Sequence, residues 1–290
     1  MLDNAMKKVS IIVDSTCDLS KELLDTYEIT TFPLHIHLGD KEFADGVDIT
    51  PEDIYSWSDA NQETPKTSVI SISEATEVLE MALKNAREVI CFCISEEMSS
   101  CSSVMNMAAA EIGREDSVFV VDSRNLSTGI GLQILEAAKM AEAGMDGEQI
   151  MGKIKAMQPR VRASFVVDTL VYLHRGGRCS GLAAMTGSAL KLHPCIRVLD
   201  GKMQAGKKYR GRIEKAIHDY VENIRPELEK AQKDRVFITH SGCGEDIIAA
   251  VKEQLEGLHY FEEIHITRAG GVISSHCGPG TLGVLFVAGE

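Results

Sequence analysis

The residues best suited to chemistry in this chain are hydroxyls gathered in three short stretches, and one histidine near the end. The stretches are Pro65-Lys66-Thr67-Ser68-Val69-Ile70-Ser71, the serine-rich run from Ser95 to Ser103, and Asp122-Ser123-Arg124-Asn125-Leu126-Ser127-Thr128-Gly129. Each follows an apolar or extended run. Hydroxyls and the free N–H groups of helix N-termini can hold an oxyanion without net positive charge. His276 stands just ahead of Gly278-Pro279-Gly280-Thr281 and a closing apolar run, Leu282 to Ala288. An imidazole donates from one ring nitrogen or both. The two glycines permit close backbone approach and Pro279 fixes the turn. This combination suits the binding of a small anionic head group. Two other readings stay open: the serines and threonines simply cap helices, or Ser99 and His276, with Asp14 or Asp122 as third member, form a hydrolase-type nucleophile and base.

Other motifs are weaker. Arg175-Gly176-Gly177-Arg178 offers two guanidinium forks for carboxylate or phosphate. Gly129-Ile130-Gly131 lacks the third glycine of a dinucleotide fingerprint, and no phosphate-binding GxxxxGK[ST] or GxSxG nucleophile elbow is present. His35 and His37 share one face of an extended segment, but no carboxylate or cysteine is expected at a supporting position to complete a metal site. Eight cysteines, at 17, 91, 93, 101, 179, 195, 243 and 277, show neither CxxC nor zinc spacing and read as buried, reduced thiols.

These groups need elements to position them. VSIIVD, EVICFCIS and SVFVVDS are nearly continuous apolar runs, each leading through a polar loop into a helical pattern. Repeated strand, loop and helix predicts an α/β parallel sheet over residues 1–160, with the hydroxyl-rich loops gathered at one edge. Ser15 or Thr16 is expected to cap the first helix. Residues 161–290 read as a mixed α+β domain carrying the Arg-Gly-Gly-Arg segment and the C-terminal turn. Asp200-Gly201 predicts a tight hairpin, a helix should run from about Arg212 to Lys233, and a further hairpin is expected within FPLHIHLGDKEFADGVDI.

Net charge is −13, which argues against nucleic acid as a partner. Yet residues 153 to 215 hold fourteen Lys/Arg against three Asp/Glu. That basic island suits an anionic ligand or an acidic partner surface. No apolar stretch approaches a membrane span and the N-terminus lacks a signal-peptide pattern, so the chain reads as cytoplasmic, without membrane insertion.

Taken in order, several motifs resemble the DegV family of bacterial fatty-acid-binding proteins. They are Asp14-Ser15-Thr16-Cys17-Asp18-Leu19, Pro65-Lys66-Thr67-Ser68, Val121-Asp122-Ser123, Gly129-Ile130-Gly131, Asp168-Thr169-Leu170-Val171-Tyr172-Leu173 with Arg175-Gly176-Gly177-Arg178, and His276-Cys277-Gly278-Pro279-Gly280-Thr281. The resemblance implies a DegV-like, two-domain α/β fold and a non-catalytic carrier without a cofactor or metal. A long-chain fatty acid would lie in an apolar tunnel, its carboxylate held by Thr67, Ser99 and His276, with Ser68, Gly278, Thr281 and Arg210 as further contacts. Some members present the acid to a fatty-acid kinase for acyl-phosphate formation and phospholipid synthesis. Arg175 and Arg178 are the expected docking residues for such a partner. The chain departs from the family's Leu-Ser-Gly-Thr at Met98-Ser99-Ser100-Cys101, where a close-approach glycine is missing.

Overall fold

The protein, here a computed structural model, is described over residues 6–178 and 192–289. The strands before residue 160 are β1 (Lys7–Asp14), β2 (Thr30–Phe32), β3 (His35–Leu38), β4 (Lys41–Ala44), β5 (Lys66–Ser68), β6 (Ala86–Cys93) and β7 (Val118–Asp122). After it come β8 (Val161–Val166), β9 (Leu192–Leu199), β10 (Lys202–Arg210), β11 (Arg235–His240), β12 (Glu263–Arg268) and β13 (Leu282–Val287). The helices are α1 (Lys21–Thr26), α2 (Pro51–Asn61), α3 (Ile72–Leu83), α4 (Cys101–Glu111), α5 (Thr128–Glu142), α6 (Gly147–Met157), α7 (Val171–Arg175), α8 (Ile213–Leu228), α9 (Glu245–Glu256) and α10 (Gly271–Cys277).

The α/β parallel sheet anticipated from the apolar runs has the order β2-β1-β6-β7. The chain leaves β1 to one side for β2 and later returns to its other side as β6. The crevice beyond the ends of β1 and β6 is therefore a topological switch point, where ligands bind in open α/β sheets. A mixed six-stranded sheet, β10-β9-β8-β13-β11-β12, forms the C-terminal half. A small antiparallel sheet, β4-β3-β5, completes the fold.

The position of β13 explains the apolar run that ends the chain. It lies between β8 and β11, and all six of its residues are buried. Leu282, Val284 and Phe286 pack with Tyr220 and Val221 of α8, whereas Leu285 and Val287 join the larger core shared with the N-terminal half. The two-residue period puts alternate side chains on opposite faces, and both faces are covered.

The turn chemistry is equally local. Asp200 and Gly201 have φ of 51° and 81°, both positive as a type I′ hairpin requires, and link β9 to β10. The early hairpin is β3–β4. The helix expected from about Arg212 to Lys233 ends sooner, with Leu228, and Pro226 lies in its last turn. The expected cap of the first helix is corrected: Ser20 caps α1, accepting from the Leu23 N–H at 3.3 Å. Ser15 and Thr16 instead lie in a short 3-10 turn capped by Asp14.

The seven described cysteines are free, and all but Cys243 are buried; Cys179 lies outside the described residues. No helix among the described residues is long and apolar enough to cross a membrane.

Candidate functional site

Loops leaving the parallel sheet after β6 and β7 meet β5, α7, β10 and α10 around a cavity of about 260 Å3. Its wall includes the buried side chains of Leu34, Ile94, Leu126, Leu173, Val272 and Ile273. Polar atoms come from Thr67, Ser68, Ser99, Ser100, Arg178 and His276.

Two elements remote in sequence supply the central pair. Thr67 sits on β5, held opposite Ile36 in the antiparallel ladder with β3. His276 lies in the last turn of α10, which Gly278 ends with φ of 72°. Thr67 Oγ1 and His276 Nε2 are 2.8 Å apart. Glycines hold the ring from outside. A Cβ at Gly176 would stand 2.3 Å from His276 Nδ1, and one at Gly278 would stand 2.5 Å from the Tyr172 ring.

Burial of the ring, with the Arg178 guanidinium beside it, pushes the His276 imidazolium down to about 4. The ring is therefore neutral near pH 7 and carries one N–H. Nδ1 is fully enclosed and has no hydrogen-bond partner. An orphaned N–H is costlier than an orphaned acceptor, so the proton belongs on Nε2, which donates to Thr67 Oγ1. The Thr67 hydroxyl proton then has no protein acceptor among the described hydrogen bonds and remains available to a ligand. Arg178 donates from Nη1 to the Gly176 carbonyl at 2.7 Å and from Nε to the Met98 carbonyl at 3.4 Å. These bonds aim its charge along the cavity wall.

The hydroxyl loops differ in what they do. Ser71 is a plain helix cap, forming a reciprocal box with Glu74 at the start of α3. Ser100 and Ser127 stand at the N-caps of α4 and α5 but make no capping side-chain bond. Ser99 Oγ accepts from the Cys101 N–H at 3.3 Å and keeps its own proton free. Ser68 Oγ lies 2.8 Å from His37 Nε2 while also lining the cavity.

Several sequence-predicted site residues are placed elsewhere. Thr281 donates to the Cys277 carbonyl at 3.0 Å and closes the turn behind His276 without lining the cavity. Gly278 contributes the carbonyl that accepts from the Ser241 hydroxyl. Arg210 is exposed at the end of β10 and does not line the cavity. Arg175 and Arg178, paired as docking residues in the sequence, are separated. Arg178 lines the cavity, while exposed Arg175 reaches the Gln62 carbonyl at 3.3 Å.

A serine-hydrolase arrangement is not assembled. The histidine meets Thr67, and its Nδ1 faces no carboxylate. Asp14 accepts from Thr16 and from the Ile94 N–H, and Asp122 accepts from the Glu96 and Arg124 N–H groups. Asp14, Cys93 and Cys101 bring possible metal-ligand atoms within 4.8 Å of one another. The Asp14 oxygens already accept protein hydrogen bonds, and burial pushes the Cys93 thiol well up, away from the thiolate a metal needs. The expectation that no carboxylate supports His35 and His37 is overturned. The β3–β4 register puts Glu42 opposite His37, 3.6 Å from its Nδ1 and 3.4 Å from that of His35. Glu74 lies 3.1 Å from His35 Nε2.

Sequence reasoning missed Gly176 as the packing against the imidazole and Tyr172 as the packing against Gly278, and it missed what holds α10. The Gly-Gly pair at 176–177 was the available signal.

The whole chain has close counterparts. Residues 8–289 match the family model described as "Uncharacterised protein, DegV family". A DegV domain-containing protein of Deinococcus radiodurans is 33% identical over 276 residues, covering 95% of this chain and 97% of the relative. A solved DegV family protein of Thermus thermophilus, described as binding fatty acid, has a TM-score of 0.88 at 29% identity, covering 97% of this chain and 99% of that one. DegV of Bacillus subtilis, described as a fatty acid binding protein, has a TM-score of 0.85 at 26% identity, covering 98% and 100%.

Proposed function

Because the chain belongs to the DegV family, we propose that its cavity holds one long-chain fatty acid non-covalently, as a carrier and not as an enzyme. The observation that carries this reading is the neutral Thr67–His276 pair, joined at 2.8 Å in the wall of an otherwise largely apolar cavity. The fatty-acid binding described for the Thermus thermophilus and Bacillus subtilis proteins supports it.

The energetics suit a tail-driven carrier. Burying about fourteen methylenes at ~0.8 kcal/mol each yields roughly 11 kcal/mol of gross driving force, before the cost of immobilising the chain. The head group then needs satisfied hydrogen bonds more than added affinity. The Thr67 and Ser99 hydroxyls donate to the carboxylate, His276 orients Thr67, and Arg178 balances the charge. An unpaired buried carboxylate would be prohibitive. Ser68 borders the same site.

Hand-off to a fatty-acid kinase extends the reading. Arg175, exposed on the outside of the segment that carries Arg178, is the docking residue in this view. Mass spectrometry of protein extracted under denaturing conditions tests the carrier. Free long-chain acid released without covalent attachment is expected. An acyl-serine adduct at Ser99 would favour acyl transfer, and the absence of any lipid would refute the carrier.

A further inference from the structure

Two buried aspartates that take no part in the cavity hold the opposite end of the histidine's helix. Asp45, just after β4, is 3% exposed. Its Oδ1 accepts from the Gly271 N–H at 2.7 Å, and its Oδ2 accepts from the Val272 N–H at 3.2 Å and the Ser15 hydroxyl at 2.7 Å. Ser15 Oγ itself accepts from the Leu34 N–H at 3.2 Å, which directs its proton to Asp45. Asp18, 6% exposed, accepts from the Gly270 N–H at 2.8 Å and faces the Ser127 hydroxyl at 2.5 Å. The contact is close enough that a Cβ at Gly271 would stand 2.6 Å from Asp45 Oδ1 and 2.7 Å from Ile36 Cδ1. Ile36 is also the ladder partner of Thr67. One strand, β3, thus abuts the start of α10 and fixes the residue that His276 must meet at its end.

We propose that Asp45 and Asp18 are positioning residues of the ligand site, whose carboxyl oxygens accept from the Gly270, Gly271 and Val272 N–H groups and together set α10 so that His276 reaches Thr67. This rests on the fatty-acid reading of the cavity. The two acids differ in their partners. Asp45 receives three donors on two oxygens and has no acceptor for a proton of its own. Asp18 receives two, the Gly270 N–H and the Ser127 hydroxyl. The ionisable groups facing Asp18 are Asp45, Asp14, Cys17 and Cys277, none of them basic. Burial, with Asp45 and Asp14 beside it, raises Asp18 to about 7, and burial puts Cys17 and Cys277 near 12. Two like charges this close cannot both ionise cheaply. Cys17, Cys277 and His276 keep their charge state as pH rises through neutrality, where Asp18 titrates.

The test is the affinity of delipidated full-length protein for cis-parinaric acid, from about pH 6.5 to about pH 8.5, with the His276 ring nitrogens followed by NMR. Asp45→Asn presents an amide to three donors. It should weaken binding about tenfold or more, roughly 1.4 kcal/mol, and shift the Nε2–H signal. Asp18→Asn keeps an acceptor for Gly270 but turns an amide N–H toward the Ser127 hydroxyl, which loses its acceptor there. Its affinity should fall between those of Asp45→Asn and wild type, without the decline that wild type shows as Asp18 ionises. A folded Asp45→Asn that binds like wild type with an unmoved His276 signal overturns the proposal. So does an Asp18→Asn that keeps the wild-type pH dependence. If Asp45→Asn does not fold, Ser15→Ala, which removes one of the three donors, decides by the same two readouts. Wild type that binds no fatty acid refutes the carrier instead, and the His276 signal in ligand-free Asp45→Asn still judges the clamp.

Discussion

The two ends of α10 are built from opposite chemistry and arrive at the same condition. At its start, buried carboxyls crowd together with no cation beside them among the described residues, and Asp18 is raised from 3.8 to about 7. At its other end, a buried imidazole beside the Arg178 guanidinium is lowered from 6.5 to about 4. One group resists losing its proton and the other resists gaining one. At both ends hydrogen bonds, more than net charge, set the geometry, with the imidazole neutral near pH 7 and Asp18 protonated below about 7. That suits the proposed carboxylate ligand: among the described residues, Arg178 is the only full positive charge lining the site.

The largest effect should come from removing that charge. Arg178→Glu sets a carboxylate against the ligand's own and should weaken fatty-acid affinity by about a hundredfold or more, on the order of 3 kcal/mol, the scale of an unpaired buried charge. Isothermal titration measures it. If binding survives while only kinase-coupled turnover falls, Arg178 belongs with Arg175 as a docking residue. Gly176→Ala comes next. Its Cβ would lie 2.3 Å from His276 Nδ1, so the ring must move. Overpacking of this kind costs about 1–3 kcal/mol, visible both in melting temperature and in affinity.

Stability against pH separates the two ends. The folded protein binds a proton at His276 less readily than the unfolded chain does. This makes stability rise with pH between about 4 and 6.5. Folded Asp18 keeps a proton that the unfolded chain has released, so its contribution falls as pH rises from 3.8 to about 7. Urea titrations should show His276→Gln with a more negative slope than wild type over the shared range and Asp18→Asn with a more positive one, each by up to about 1.4 kcal/mol per pH unit. Identical slopes would remove the contrast. The smallest expected effect on lipid retention is that of Arg175→Glu, under about twofold, since its contact with the described residues is a surface bond at 3.3 Å to the Gln62 carbonyl. Under the proposed hand-off, its effect belongs to coupling with the kinase.

Legibility in the sequence follows the range of the interaction. The β9–β10 hairpin was readable because Asp200-Gly201 supplies the positive φ values its turn requires. The parallel strands were readable because both faces are buried and the runs are continuously apolar. The Thr67–His276 association came from the order of motifs along the chain, not from spacing. The two residues are 209 positions apart, and no local pattern records such a bond. The clamp on α10 was invisible for the same reason, since Asp18 and Asp45 reach residues 252 and 226 positions away. Ser15 and Thr16 misled because a hydroxyl after a strand fits a helix cap as well as a tertiary bond to Asp45 or a local one to Asp14. Glu42 was missed beside His35 and His37 because cross-strand register is set by the hairpin and not by sequence distance.

Thr67→Val tests the central pair most directly, since it deletes one hydroxyl and keeps the side chain's shape. In a calorimetric titration with a long-chain fatty acid, the variant should bind about five- to thirtyfold more weakly than wild type, the cost of leaving the His276 N–H and a ligand oxygen unmet. Equal affinity in a folded Thr67→Val protein would show that the carboxylate is held somewhere else.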